Sequence, residues 1–371
     1  MKVLVDGYWN NNLGDDLFLK ILIDSLPNNK YFIIINQNQK EIYDNFTNLN
    51  LIVQNESFFR RSVNFFTRIL YKINPNNDLI IPGSSNYALI NMIQKKDIDC
   101  YLLLGGSLFI FPKKGMDSNY ASRKKIANTN IPFFIIGSNF GPFYYKKQLN
   151  SYYNFFKKAK GVTFREKYSY SLFSDLGKKI KYYPDVVFGL DTSKYQMKEE
   201  YILFSIIDPS KLKISSKISE KYFEGMCNLI NKYISSGEKV VLMSFCEPAG
   251  DLHYIHKISK KVNSSNLRIY NHSNIDESLQ VLANAKKVIA TRYHAMILSW
   301  IFQKEVFVIS YSNKTSNVIN DFFPDQNFVN ISDISTTFNP SFSKMPLNKL
   351  KALKQKSKKH FNQFSSFTMG E

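Results

Sequence analysis

The stretch Val288-Ile289-Ala290-Thr291-Arg292-Tyr293-His294-Ala295 sets a guanidinium and an imidazole two residues apart, where an apolar run gives way to Met296-Ile297-Leu298-Ser299-Trp300. The first run reads as a strand and the second as the body of a buried helix. The free N–H groups of a helix N-terminus already favour an anion, and a planar guanidinium beside them suits a phosphate. A lone histidine in apolar surroundings is more often a core residue. The adjoining arginine and the strand-to-helix position make His294 a candidate for chemistry. Arg165, in Val162-Thr163-Phe164-Arg165-Glu166, also stands at a strand end, where its fork suits a carboxylate or phosphate. A salt bridge to Glu166 or Asp185 is the competing role for it.

Other strand exits carry glycine and polar groups. Asp6-Gly7-Tyr8-Trp9-Asn10-Asn11-Asn12-Leu13-Gly14-Asp15 joins the first strand to the first helix. Gly14 there can take a positive φ, and Asp15 can cap the helix. That is ordinary turn chemistry. The functional alternative has this loop touching a ligand, with Asp15 or Asp16 accepting a hydroxyl or a substrate proton. Leu104-Gly105-Gly106-Ser107 and Ile136-Gly137-Ser138-Asn139-Phe140-Gly141-Pro142 are two further glycine-rich exits, and together they suggest the wall of a cleft. The first lacks the Lys-Ser/Thr of a phosphate-binding P-loop and the three-glycine spacing of a dinucleotide fingerprint. Glu247, after the strand ending near Phe245, is positioned to orient a ligand or His294. Asp97-Ile98-Asp99 precedes a strand and is read as surface. His253 and His256 are one helical turn apart with Asp251 as the nearby acid, too few ligands for a metal, so no metal site is expected.

The elements that must position these residues are short runs rich in Val, Ile, Phe and Tyr, alternating with helix-length segments, the signature of parallel α/β folding. Strands are expected near Lys2–Asp6, Tyr31–Ile35, Ile80, Cys100–Leu104, Phe133–Ile136, Gly161–Phe164 and Ile180–Tyr183. A second series follows at Tyr201–Ile206, Lys239–Ser244, Leu267–Tyr270, Lys287–Thr291 and Val306–Ser310. Helices are expected over Asp15–Leu26 and Ser219–Ser236. Between the two series Gly189–Glu200 is polar and aperiodic, a natural boundary. The expected organisation is two Rossmann-like domains facing a cleft, over residues 1–190 and 191–345, followed by a basic C-terminal helix or tail over 346–371. In such sheets ligands bind beyond the carboxyl ends of the strands.

A chain of 371 residues, 44% of them hydrophobic, exceeds what one core usually supports and is neither disordered nor fibrous. Cys100, Cys227 and Cys246 are widely separated, which points away from disulfides and cysteine zinc sites and toward a reducing compartment. The opening Met-Lys-Val-Leu-Val-Asp reads as a strand and not as a secretory signal, and no apolar run approaches the ~20 residues of a membrane span. A cytoplasmic location is expected. The formal charge is +19, from 49 Lys+Arg against 30 Asp+Glu, a field that attracts anionic partners. Seven lysines (Lys344, Lys349, Lys351, Lys354, Lys356, Lys358 and Lys359) crowd a stretch without an acidic residue from Ile334 to Gly370. This reads first as a solvated helix face and second as peripheral contact with the inner face of the plasma membrane. No zinc finger or base-reading helix is present, so no specific nucleic acid is expected.

These residues together resemble the polysaccharide pyruvyl transferase family. The resemblance rests on Asn12-Leu13-Gly14-Asp15, Gly105-Gly106-Ser107, Gly141-Pro142, Phe164-Arg165-Glu166 with Ser169, Pro184-Asp185 with Phe188, Arg292-Tyr293-His294, and Tyr311 with Lys314. They occur in the family's order over most of residues 1–320. The resemblance implies a fold like that of the GT-B glycosyltransferases and phosphoenolpyruvate as the donor, with no cofactor. It implies two hydroxyls of a glycan, free or lipid-linked, as the acceptor, and a cyclic pyruvate ketal of a cell-surface polysaccharide as the product. It places Arg165, Arg292, His294 and Lys314 at the donor, and Asn12 in the loop after the first strand. The chain departs from the family at Arg165-Glu166, where Arg-Asp is common, and at Ile207-Asp208-Pro209, where relatives often carry a basic residue.

The chemistry of the residues is consistent with this. Phosphoenolpyruvate carries two anionic groups, so Arg165 and Arg292 would clamp it from opposite domains. His294, with an unperturbed pKa near neutrality, suits the general acid that protonates the methylene carbon, and Asp15 or Glu247 suits the base. The competing expectation is a glycosyltransferase of the same shape, with Arg292 on the diphosphate of a nucleotide sugar and Asp15 as the base.

Overall fold

The computed structural model describes residues 1–54, 69–70, 97–212 and 214–370. They form two compact units, one of Met1–Trp9, Phe18–Val186 and Lys358–Glu371, the other of Asn10–Leu17 and Val187–Ser357.

In the first unit β1 (Lys2–Asp6), β2 (Lys30–Asn36), β3 (Leu49–Gln54), β4 (Cys100–Leu104), β5 (Phe133–Ser138), β6 (Gly161–Phe164) and β7 (Ile180–Tyr182) make one sheet in the order β3-β2-β1-β4-β5-β6-β7. Every pairing is parallel. Parallel strands are covered on both faces, which is why the central strands are continuous apolar runs: all of Cys100–Leu104 is buried. Helices α1 (Leu13–Ser25), which belongs to this unit from Phe18 on, α2 (Tyr120–Ile126) and α3 (Lys146–Lys158) are among their connections. The core is unusually aromatic. Phe156 and Phe140 set their rings edge-on to Phe173 at 4.8 and 4.9 Å between centroids.

In the second unit β8 (Tyr201–Ser205), β9 (Val240–Ser244), β10 (Leu267–Asn271), β11 (Ala285–Ala290), β12 (Glu305–Ser310) and β13 (Phe328–Asn330) form a parallel sheet ordered β10-β9-β8-β11-β12-β13. Its helices are α4 (Ser216–Ser235), α5 (Asp251–Val262), α6 (Ile275–Ala283), α7 (Tyr293–Ile301), α8 (Asn313–Phe322) and α9 (Leu347–Ser357). The second sheet follows the doubly wound order 3-2-1-4-5-6, and the first follows the same order with a seventh strand added at its edge. Two edge strands, β3 and β13, are absent from the sequence expectation, and the expected strand at Ile80 lies outside the described residues. No described helix is long and apolar enough to cross a membrane.

The expected C-terminal piece is not a unit of its own. Leu350 and Leu353 of α9 are buried in the second unit, whereas His360, Phe361 and Phe364 are buried in the first, where α10 (Asn362–Met369) sets Phe364 against Phe134. The lysines between, among them Lys351, Lys356, Lys358 and Lys359, are exposed.

His360 fastens this segment. Its Nε2–H donates to the Pro184 carbonyl at 2.7 Å, so Nδ1 accepts from the Thr163 hydroxyl, also at 2.7 Å, and Thr163 Oγ1 in turn accepts the Gly137 N–H. Burial pushes the ring's pKa from 6.5 down to about 4. Between those values the unfolded chain binds the extra proton. Stability is therefore fully present above pH 6.5 and falls toward pH 4, by about 3 kcal/mol in total at ~1.4 kcal/mol per unit. Urea unfolding of wild type and His360→Gln at pH 7 and 4.5 should show the acid loss reduced in the variant; an equal loss in both would contradict this role.

Candidate active site

A doubly wound sheet reverses its connections between two central strands, and ligands bind beyond the carboxyl ends there. In the second unit those strands are β8 and β11. The exit of β11 is Thr291-Arg292-Tyr293-His294, so the pair singled out by residue type lies at the switch point. Arg292 is extended (φ −76°, ψ 136°) at the start of α7, and its N–H donates to Ser205 Oγ at the end of β8, at 3.1 Å.

The Arg292 side chain is fixed by a residue read differently from the sequence. Asp251, the first residue of α5, is fully buried and accepts both Nε, at 2.9 Å, and Nη2 of Arg292. The same carboxylate accepts the backbone N–H groups of Phe245 and Cys246. Burial works against the guanidinium's charge, but Asp251 more than offsets it and raises the arginine's pKa. Asp251 therefore serves Arg292, not His253 and His256, both of which are exposed. Among the described residues no three His, Cys, Asp or Glu side chains are grouped so as to hold a metal ion.

Residues Asn10–Leu17 belong to this unit. The Leu13 N–H donates to the Phe245 carbonyl at 3.1 Å, and Asn12 bridges to Cys246. Asn12 accepts the Gly14 N–H and donates to Asp15 Oδ2 at 2.7 Å. The helix begins at Leu13, so Asp15 is not its N-cap but an acid of its first turn, and Gly14 lies inside the helix with no positive φ. What Gly14 supplies is a missing side chain: a Cβ there would overlap the His294 imidazole. Gly14→Ala should displace that ring and lower stability by about 1–3 kcal/mol through overpacking. Thermal unfolding checks this, and an unchanged midpoint would mean that the ring moves aside without cost.

Asp16 is engaged with a residue absent from the sequence expectation. His272, 3% exposed and placed directly after β10, approaches Asp16 Oδ2 with Nε2 at 2.9 Å and Ser278 Oγ with Nδ1 at 2.7 Å. Attention to the residue after every strand would have found it. Of the pair Asp15 or Asp16, the structure gives Asp16 to His272. Glu247 is exposed and accepts from Asn271 at 2.8 Å, beside the exits of β9 and β10. Lys314, in the first turn of α8, holds Nζ 4.8 Å from the centre of the Tyr293 ring, and that ring lies edge-on to His294.

The first unit gathers a second group. Arg165 is 1% exposed; its Nη1 pairs with Asp185 at 2.8 Å, and its Nη2 donates to Asn139 Oδ1 at 2.7 Å and Ser107 Oγ at 3.3 Å. Gly106 permits this, since a Cβ there would overlap the guanidinium, and Gly105 precedes it at a φ of 142°. Of the two roles weighed for Arg165, the ion pair with Asp185 is the one present. Glu166 instead accepts from Ser169, whose hydroxyl also accepts the Phe140 N–H.

The architecture is that of GT-B-type enzymes. The UDP-GlcNAc 2-epimerase of Neisseria meningitidis bound to UDP-GlcNAc superposes with a TM-score of 0.53 at 12% identity, over 99% of this chain and 100% of that one. Anabaena HepE in complex with UDP and glucose gives 0.52 at 9% identity over 100% of both chains. The Methanocaldococcus jannaschii UDP-GlcNAc 2-epimerase in complex with UDP-GlcNAc and UDP gives 0.51 at 11% identity, over 99% and 100%. At such identities the likeness establishes the fold alone. The chain belongs to the polysaccharide pyruvyl transferase family, whose model matches residues 12–313. A search of curated proteins returns no match. The matched span contains Asn12, Arg165, Arg292 and His294; Lys314 lies one residue beyond it.

Proposed function

We propose that this protein transfers the pyruvyl group of phosphoenolpyruvate to two hydroxyls of one saccharide residue, giving a cyclic ketal and inorganic phosphate. The observation that carries the reading is the placement of Arg292 and His294 at the switch-point exit of a chain of this family. Arg292, oriented by Asp251, takes the phosphate together with the N-terminus of α7, and Lys314 supplies a further cation. His294 protonates the methylene carbon, which becomes the methyl group. One sugar oxygen then bonds to the central carbon and the C–O bond to phosphate breaks; the second sugar oxygen closes the ring. Of the two hydroxyl protons, one restores the proton that His294 gave to the methyl group and the other leaves on phosphate, so the reaction balances. Asp15, held by Asn12, is the carboxylate beside His294's neighbour Gly14 and takes a hydroxyl proton; Glu247 is the alternative base. Arg165 holds the exits of Ser107 and Asn139.

The acceptor on this reading is a cytoplasmic glycan precursor, free or lipid-linked, destined for the cell surface, with membrane contact through the exposed C-terminal lysines. Because the related structures hold UDP or UDP-GlcNAc, a nucleotide sugar is the competing donor. A thermal shift separates the two. Phosphoenolpyruvate at 100 times its Kd stabilises a binding unit by about 2.7 kcal/mol, and the shift should vanish in Arg292→Ala. A shift with UDP-GlcNAc alone would overturn the reading in favour of glycosyl transfer.

A further inference from the structure

A groove in the first unit, away from the residues discussed above, has the composition of a binding site. It lies between α2 and α3 and encloses about 560 Å³. One wall is Tyr120 and Lys124 of α2 with Ala127–Asn128 just past its end; the other is one face of α3, Lys147, Asn150–Ser151, Asn154–Phe155 and Lys158. At 1.5 Å per residue the second wall runs roughly 16 Å, which suits a chain of several monosaccharides better than a single small ion. Among the described residues no carboxylate lines the groove. Lys158 Nζ reaches across to Asn128 Oδ1 at 2.6 Å, so the walls are joined.

The floor is aromatic. Phe155 is 4% exposed and stacks on Phe133 at 4.9 Å, and Tyr120 packs against Tyr152 at 5.3 Å with its ring half-exposed to the groove. Three cations, three side-chain amides and an aromatic face match a ligand that has carboxylates or ketal acids, many hydroxyls and apolar ring faces. A flat lipid surface would meet only the lysines at the rim. We propose that this groove holds an acidic saccharide chain, apart from the transfer site, and so keeps the polymer or its acidic product on the enzyme. The choice of a saccharide rests on the transferase reading above; the groove itself does not.

The test uses the full-length protein and measures binding of an oligogalacturonate, with neutral dextran and inorganic polyphosphate as companions. Lys124→Gln/Lys147→Gln/Lys158→Gln should weaken oligogalacturonate by about tenfold. Lys351→Gln/Lys356→Gln/Lys359→Gln, with the same change in charge at exposed sites, should leave it within about twofold. Asn150→Ala/Asn154→Ala should weaken oligogalacturonate but leave polyphosphate unchanged. An equal loss in the two lysine triples would overturn the proposal and make the binding a property of net charge. Insensitivity to the asparagine pair would overturn it in favour of a general anion groove. The phosphoenolpyruvate thermal shift should persist in every groove variant, so a failure here is distinguishable from a failure of the transferase reading.

Discussion

Alanine at His294 is expected to lower pyruvyl transfer by roughly 10²–10⁴-fold while phosphoenolpyruvate binding persists. The split follows from the division of labour at the exit of β11. On the proposed reading the anion is met by Arg292 and the α7 N-terminus, both of which survive the substitution. On the same reading the proton for the methylene carbon comes from the His294 imidazole. Gly14, whose missing side chain makes room for that ring, should reveal the same split more mildly: Gly14→Ala retains a functional imidazole but displaces it. Transfer is measured as phosphate release in the presence of acceptor, and binding by the thermal shift. Transfer at the wild-type rate in the His294 variant would remove this residue from the chemistry. Loss of both binding and transfer would make it an anion ligand instead.

Residue type reached some parts of this molecule and spatial partnership the others. The central strands were legible because parallel strands, buried on both faces, become runs such as Tyr101–Leu104 and Val240–Met243 that little else explains. Two of the four edge strands, β3 and β13, were not: Asn50 interrupts the apolar run of one, and the other is three residues long. Arg292 and His294 stood out through local spacing. Their supports did not, because Asp251 lies 41 residues from Arg292 and Asp16 lies 256 from His272, and no local pattern carries such a pairing. Arg165 is the same case: a guanidinium at a strand end stands out by residue type, but the Asp185 carboxylate that fixes it lies 20 residues on. Gly14 was rightly singled out for the wrong reason: its φ is ordinary for a helix, and the demand on it comes from a side chain 280 positions away in sequence (294 − 14).

The Arg292–Asp251 pair should be strongly asymmetric. Asp251→Ala removes the acceptor of four N–H groups, two from Arg292 and the backbone groups of Phe245 and Cys246, and strands a mostly buried guanidinium that cannot shed its proton. Breaking a buried pair in this way costs about 3–5 kcal/mol, or on the order of 10 °C in the unfolding midpoint. Arg292→Ala should cost less. The remaining carboxylate keeps its two backbone donors, and burial already pushes its pKa above the ordinary value, so it can take a proton instead of staying charged. The double variant should be more stable than Asp251→Ala alone, because removing the stranded guanidinium relieves the larger penalty, and the cycle should give a coupling of about 1–3 kcal/mol. Phosphoenolpyruvate sharpens the contrast. A bound phosphate is a second anion for the orphaned guanidinium, so the donor should recover part of the stability lost in Asp251→Ala and none of that lost in Arg292→Ala. Additive single losses, or equal rescue of both variants, would show that Asp251 does not orient Arg292 toward the donor.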